Sequence, residues 1–111
     1  MIIVIHNPLV VHCLRSDFDV YIGREHKRFP QGSIWGNPFH LHDESKREEV
    51  LQDYFEWLKY QDHLLIKIPE LKGKRLGCHC YPKLCHGLVL ADLANGTNYY
   101  LKGKENEIKI I

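Results

Sequence analysis

The chain has 111 residues, 44% hydrophobic, 11% aromatic and 26% charged, with a formal net charge of +1. That length suits one domain, residues 1–111, able to bury a core without staples. The near-neutral charge gives no support to a phosphate-backbone binder, so nucleic acid is not expected as a partner, and no apolar run approaches the roughly 18 residues of a membrane span.

The opening stretch "MIIVIHNPLVVHC" lacks a basic leader and a small-residue cleavage site, so it reads as core strand and not as a signal peptide. "MIIVI" and "LVVHCL" are rich in β-branched residues and are split by a turn-like "HNP". "FDVYIG" alternates Phe18, Val20 and Ile22 with Asp19 and Tyr21, the period of a strand with one apolar face. Residues 24–44 carry glycines, prolines, aromatics and imidazoles, which predicts a long, ordered loop. "SKREEVLQDYFEWLKYQ" is a helix, with a Ser45–Glu48 capping box and an apolar stripe of Val50, Leu51, Tyr54, Trp57 and Leu58.

A shorter helix is expected over "DHLLIKI", ending before Pro69. "KRLGCHC" reads as a strand. "YPKLCHGLVLADLANG" reads as a helix entered near Pro82 and closed by Asn95 and Gly96. The tail, residues 97–111, is expected to add an edge strand or to fray. This order predicts an α/β fold, a small open sheet with helices packed on it and a Rossmann-like strand-helix-strand crossover. Ligands of such sheets sit beyond the carboxyl ends of the strands, against helix N-termini.

The stretch "RLGCHCYPKLCHG" falls on such a strand-to-helix junction. On a strand, Cys78 and Cys80 share one face and His79 takes the other. Cys85, at the helix entry, would feel the positive end of the helix dipole, which favours thiolate, and His86 is placed to exchange a proton. Three readings stand. Cys85 and His86 are a catalytic or ligand-contacting pair with His86 or His79 as acid-base partner; Cys78, Cys80, Cys85 and His86 hold a structural zinc; or the cysteines are small buried hydrophobes. The zinc spacing departs from the usual pair of knuckles, and adjacent Cys85 and His86 on one ion would be awkward.

A second candidate stretch is "SIWGNPFHLHDES". Asn37, between Trp35 and Phe39, offers a donor and acceptor pair to a ligand edge. Arg24 follows a strand and Gly23, where it would meet an anion. The plainer reading is a turn whose aromatics plug the core, and His40 and His42 lack a third ligand.

Taken together, "YIGR", "WGNPF" and "GCHCYPKLCHG", in that order, resemble the family called domain of unknown function 4326, over about Val10 to Ala94. That family occurs in bacteria, phages and other viruses and takes its name from having no established activity. The resemblance marks Tyr21, Gly23, Arg24, Trp35, Gly36, Asn37, Pro38, Phe39, Cys78, Cys80, Pro82, Cys85, His86 and Gly87. His79 stands where the family often has an aromatic, so it is not assumed catalytic. The loop "EHKRFPQGSI" and the tail after Ala94 also depart from the usual form. Domain of unknown function 488 is similar around its own strand and "CHR" helix entry, which favours a sheet-edge site over a zinc knuckle.

The expected function is that of a cytoplasmic protein binding a small anionic ligand, with a nucleotide or its derivative as the first class. Processing of that ligand and assembly into a homo-oligomer are left open. Cys85 and His86 are the catalytic candidates, and Arg24, Asn37, Trp35, Cys80 and Tyr21 the ligand-binding ones. No cofactor is expected; the rival readings are a zinc-stabilised non-enzymatic module and a viral protein that sequesters the ligand without turnover.

Overall fold

Three short strands form one sheet in a computed structural model that describes residues 7–80 and 83–108. Strands β1 (Val10–His12), β2 (Val20–Tyr21) and β3 (Leu76–Cys78) all run parallel, in the order β1-β3-β2. Leu76 pairs with both Val10 and Val20, and the ladders extend through Cys13 N–H to Cys78 O and Ile22 N–H to Gly77 O. β3 is central and buried along its whole length, as the middle strand of a covered parallel sheet must be. A strand expected at "MIIVI" lies outside the described residues.

Helix α1 (Arg47–Leu58) buries Leu51, Tyr54, Phe55 and Leu58, one stripe at helical spacing. The sequence stripe omitted Phe55 and included Val50 and Trp57, which are only half-buried. The expected Ser45–Glu48 capping box does not form the start. Asp43 Oδ1 accepts from Ser45 N–H at 3.0 Å and opens a 3-10 turn, Glu44–Lys46, that leads into α1. Asp43 wins because it sits two residues earlier and its carboxylate is a strong N-cap acceptor. α2 (Asp62–Leu65) is one turn, and Pro69 falls inside a 3-10 turn, Ile68–Leu71, where its missing N–H costs nothing.

Helix α3 (Gly87–Asn95) is buried from Gly87 to Leu93, and Gly96 closes it at φ 65°. It starts later than expected, and Pro82 lies outside the described residues. α3 packs on β1, β3 and the Ile68–Leu71 turn. A Cβ at Gly87 would lie 2.9 Å from Ile22 Cδ1 and 3.1 Å from Val10 Cγ1, so glycine sets how closely α3 approaches the sheet.

The described part of the tail forms no strand. Leu101 and Ile108 are buried, and Lys104–Glu107 is a 3-10 turn. Asp92, fully buried on α3, holds this segment: its carboxylate accepts from Thr97 O–H (2.6 Å) and from the N–H groups of Tyr99, Tyr100 and Leu101 (2.8–3.0 Å). Among the described residues, no helix is long and apolar enough to cross a membrane.

Candidate functional site

Beyond the carboxyl ends of β2 and β3 lies a cleft of about 410 Å3. Gly23, Arg24, His26, Cys78, His79 and Cys80 enter it from the strand ends, and Cys85 and His86 from the start of α3. Asn37, Phe39 and Leu41 come from the long loop, and Arg47, Val50 and Leu51 from the first turns of α1. Parallel strands pointing the same way put their following loops on one edge, which is why residues 24 and 80 meet.

Five of the candidates read from the sequence, Arg24, Asn37, Cys80, Cys85 and His86, line this cleft together. Trp35 and Tyr21 do not. Trp35 is buried in the core, where its carbonyl accepts from Tyr54 O–H at 2.8 Å. Tyr21 stacks on Phe29 with ring centroids 3.8 Å apart and donates to Arg24 O at 2.6 Å, so it braces the loop that carries Arg24.

The sulfur cluster is tightly packed. Cys78 Sγ lies 3.1 Å from Cys85 Sγ, and all four cysteines of the chain are free thiols. Cys80 hydrogen-bonds to Cys78 and draws its pKa down, but the bond to Cys85 and burial outweigh this and push it up to about 12. The Cys80 thiol is pushed up by its bond to Cys78 and by burial, against a smaller opposing pull from Arg47. Both are therefore thiols at neutral pH. Cys85 is buried, one residue outside the α3 N-cap.

His86 is buried with Nε2 2.7 Å from Ile22 O. A carbonyl only accepts, so Nε2 carries the hydrogen and Nδ1 is the free lone pair. Burial pushes its pKa down to about 4, with the Ile22 hydrogen bond opposing and the Arg24 charge adding to the shift. The ring sits 5.0 Å from that of Tyr54. Among the described residues, no group of three or more His, Cys, Asp or Glu side chains is arranged to hold a metal ion.

The two arginines differ. Arg47 is half-buried, forks both oxygens of Glu44 at 2.8 Å and donates to Leu84 O at 2.9 Å, so its charge is matched at home. Arg24 is exposed and places Nη1 2.8 Å from His40 Nδ1; among the described residues it has no carboxylate partner. Asn37 Oδ1 accepts from Phe39 N–H at 2.8 Å, which leaves the amide nitrogen as the donor it offers. On the opposite wall, the His26 and His79 rings lie 4.3 Å apart, and burial followed by the charges of His26 and His12 lowers the pKa of His79.

Sequence reasoning passed over Arg47, His26, Leu41 and Val50. Arg47 and Val50 read as ordinary helix residues, and His26 and Leu41 carried no spacing signal at all.

The family model for domain of unknown function DUF4326 matches residues 11–96. The chain belongs to this family. Among its relatives are the "uncharacterized 12.4 kDa protein in nrdA-td intergenic region" of Enterobacteria phage T4 and the "uncharacterized protein R718" of Acanthamoeba polyphaga mimivirus. The phage protein is 36% identical over 90 residues, which is 78% of this chain and 76% of its own length. The mimivirus protein is 37% identical over 99 residues, 78% of this chain and 71% of its own length. No solved structure matches the chain. Within the DUF4326 match fall all the cleft residues, from Gly23 to His86.

Proposed function

We propose that this DUF4326 protein binds a small anionic ligand of the nucleotide class in the cleft at the strand carboxyl ends. The observation that carries the reading is the convergence of Arg24 and Asn37 from the loop with Cys80, Cys85 and His86 from the β3–α3 junction. Arg24, unneutralised by a carboxylate among the described residues, meets the phosphate. Asn37 Nδ2 donates to it or to a base edge. Phe39, Leu41, Val50 and Leu51 supply the apolar wall a flat base needs, and about 410 Å3 falls within the range of small-molecule sites.

The connection from β2 through α1 and α2 to the adjacent parallel β3 is read as the right-handed crossover of Rossmann-like sheets, which collect ligands at this edge. Four free thiols favour a cytoplasmic setting. In this reading Cys85 and His86 form the floor, and the His86 Nδ1 lone pair accepts a hydrogen bond from the ligand.

Isothermal titration of the intact chain with nucleoside monophosphates tests the proposal. Saturable binding that falls at least tenfold in Arg24→Ala supports it; affinity indifferent to Arg24→Ala refutes it. Mass analysis of the ligand afterwards separates the two forms of the reading. A converted ligand, with conversion lost in Cys85→Ser, makes the site an active site. A ligand returned intact makes the protein a binder that sequesters it.

A further inference from the structure

The cleft does not end at Arg24. A second cavity of about 520 Å3 adjoins it, and Arg24, Glu25 and Asn37 belong to both. The two differ in chemistry. The first is walled by Phe39, Leu41, Val50, Leu51 and Leu84, side chains that accept a flat ring. The second is lined by Gln31, Gly32, Ser33, Gly36, Pro38 and His40, and carries no large aliphatic side chain. Its shape depends on glycine. Gly32 has φ +64°, and a Cβ there would lie 2.9 Å from the Glu25 backbone nitrogen. At Gly36 a Cβ would crowd Arg24 Cγ at 3.1 Å.

The geometry points to an extended ligand laid across the Arg24–Asn37 ridge: a nucleoside diphosphate conjugate, with its base in the first cavity, its diphosphate on the ridge and a sugar-like second group in the other. This deepens the nucleotide reading and rests on it. Charge orders the parts. Arg24 and the Asn37 amide nitrogen donate to phosphate oxygens. Glu25, also shared, repels phosphate and accepts from sugar hydroxyls, so it faces the sugar of one half or the other. His40, held 2.8 Å from Arg24, lines only the second cavity. A monophosphate would fill the first cavity and reach the ridge, leaving the second to water.

Titration calorimetry on the intact chain with three matched pairs tests this: AMP and ADP-ribose, UMP and UDP-glucose, GMP and GDP-mannose. At least one conjugate is expected to bind tenfold or more tightly than its monophosphate. Gln31→Trp, which fills the second cavity from an exposed loop position, and Gln31→Glu, which places a negative charge there, are each expected to erase that gain and leave the monophosphate affinity unchanged. Equal affinity within all pairs, or a gain that survives both variants, overturns the inference and leaves the nucleotide site standing. If no monophosphate and no conjugate binds, the nucleotide site and the extended ligand fall together.

Discussion

Acidification from about pH 7 to about pH 4.5 is expected to destabilise the protein by roughly 2–3 kcal/mol through His86 alone. Burial holds the folded-state pKa of His86 down to about 4, against an ordinary 6.5. Above the ordinary value both folded and unfolded chains keep the imidazole neutral, and the full stability is present. As pH falls through 6.5 toward 4 the unfolded chain takes up a proton that the folded chain refuses, so stability is lost at up to about 1.4 kcal/mol per pH unit. Below about 4 both forms are charged and the loss levels off. His79, also lowered, moves in the same direction, so the comparison must be with a variant. His86→Gln keeps a donor for Ile22 O and removes the titration. Urea unfolding of both proteins across this window is the assay, with the wild-type curve falling more steeply than the variant's. The window avoids Glu44, whose hydrogen bonds to Arg47 hold its pKa down to about 2, so that its contribution is lost only at lower pH. Parallel curves for the two proteins would refute a buried neutral His86, and with it the assignment of its Nδ1 lone pair.

Asp92→Ala is expected to cost at least about 4 kcal/mol, since it strips the acceptor from Thr97 and three backbone N–H groups at ~1–3 kcal/mol per unsatisfied donor; hydrogen exchange at Tyr99–Leu101 should lose protection first, and unchanged protection there would contradict the hub. Gly87→Ala should destabilise by about 1–2 kcal/mol, the crowding of Ile22 and Val10 outweighing the gain in helix propensity. A urea midpoint that rises instead would mean α3 has room to move. Gly36→Ala should weaken nucleoside monophosphate binding severalfold by displacing Arg24 while the melting temperature stays close to wild type. An affinity equal to wild type would detach Gly36 from the site. Incubation with EDTA should leave the thermal melt unmoved, because among the described residues no group of three or more His, Cys, Asp or Glu side chains is arranged to hold a metal ion. A lowered melt would restore the zinc-held module.

Signals that act within a few residues were legible in the sequence. The apolar stripe of α1 through Leu51, Tyr54 and Leu58, the Gly96 stop of α3, the β-branched run of β1 and the alternation of β2 are local choices of backbone, and the structure keeps each of them. The family, too, was readable from the spaced motifs. Boundaries moved where a stronger local group competed, as Asp43 did with Ser45. What only the tertiary structure decided are the meetings between distant residues. β3 enters between β1 and β2, and that order brings Arg24 within one cleft of Cys85 and His86. Burial then sets the chemistry: it makes His86 a neutral donor to Ile22, 64 residues earlier, and keeps Cys78 and Cys80 as thiols. It also turns Asp92, an unremarked acid in an apolar helix, into the acceptor for the tail. Desolvation and long-range pairing depend on which surfaces meet, and a linear pattern carries residue type and spacing but not that neighbourhood.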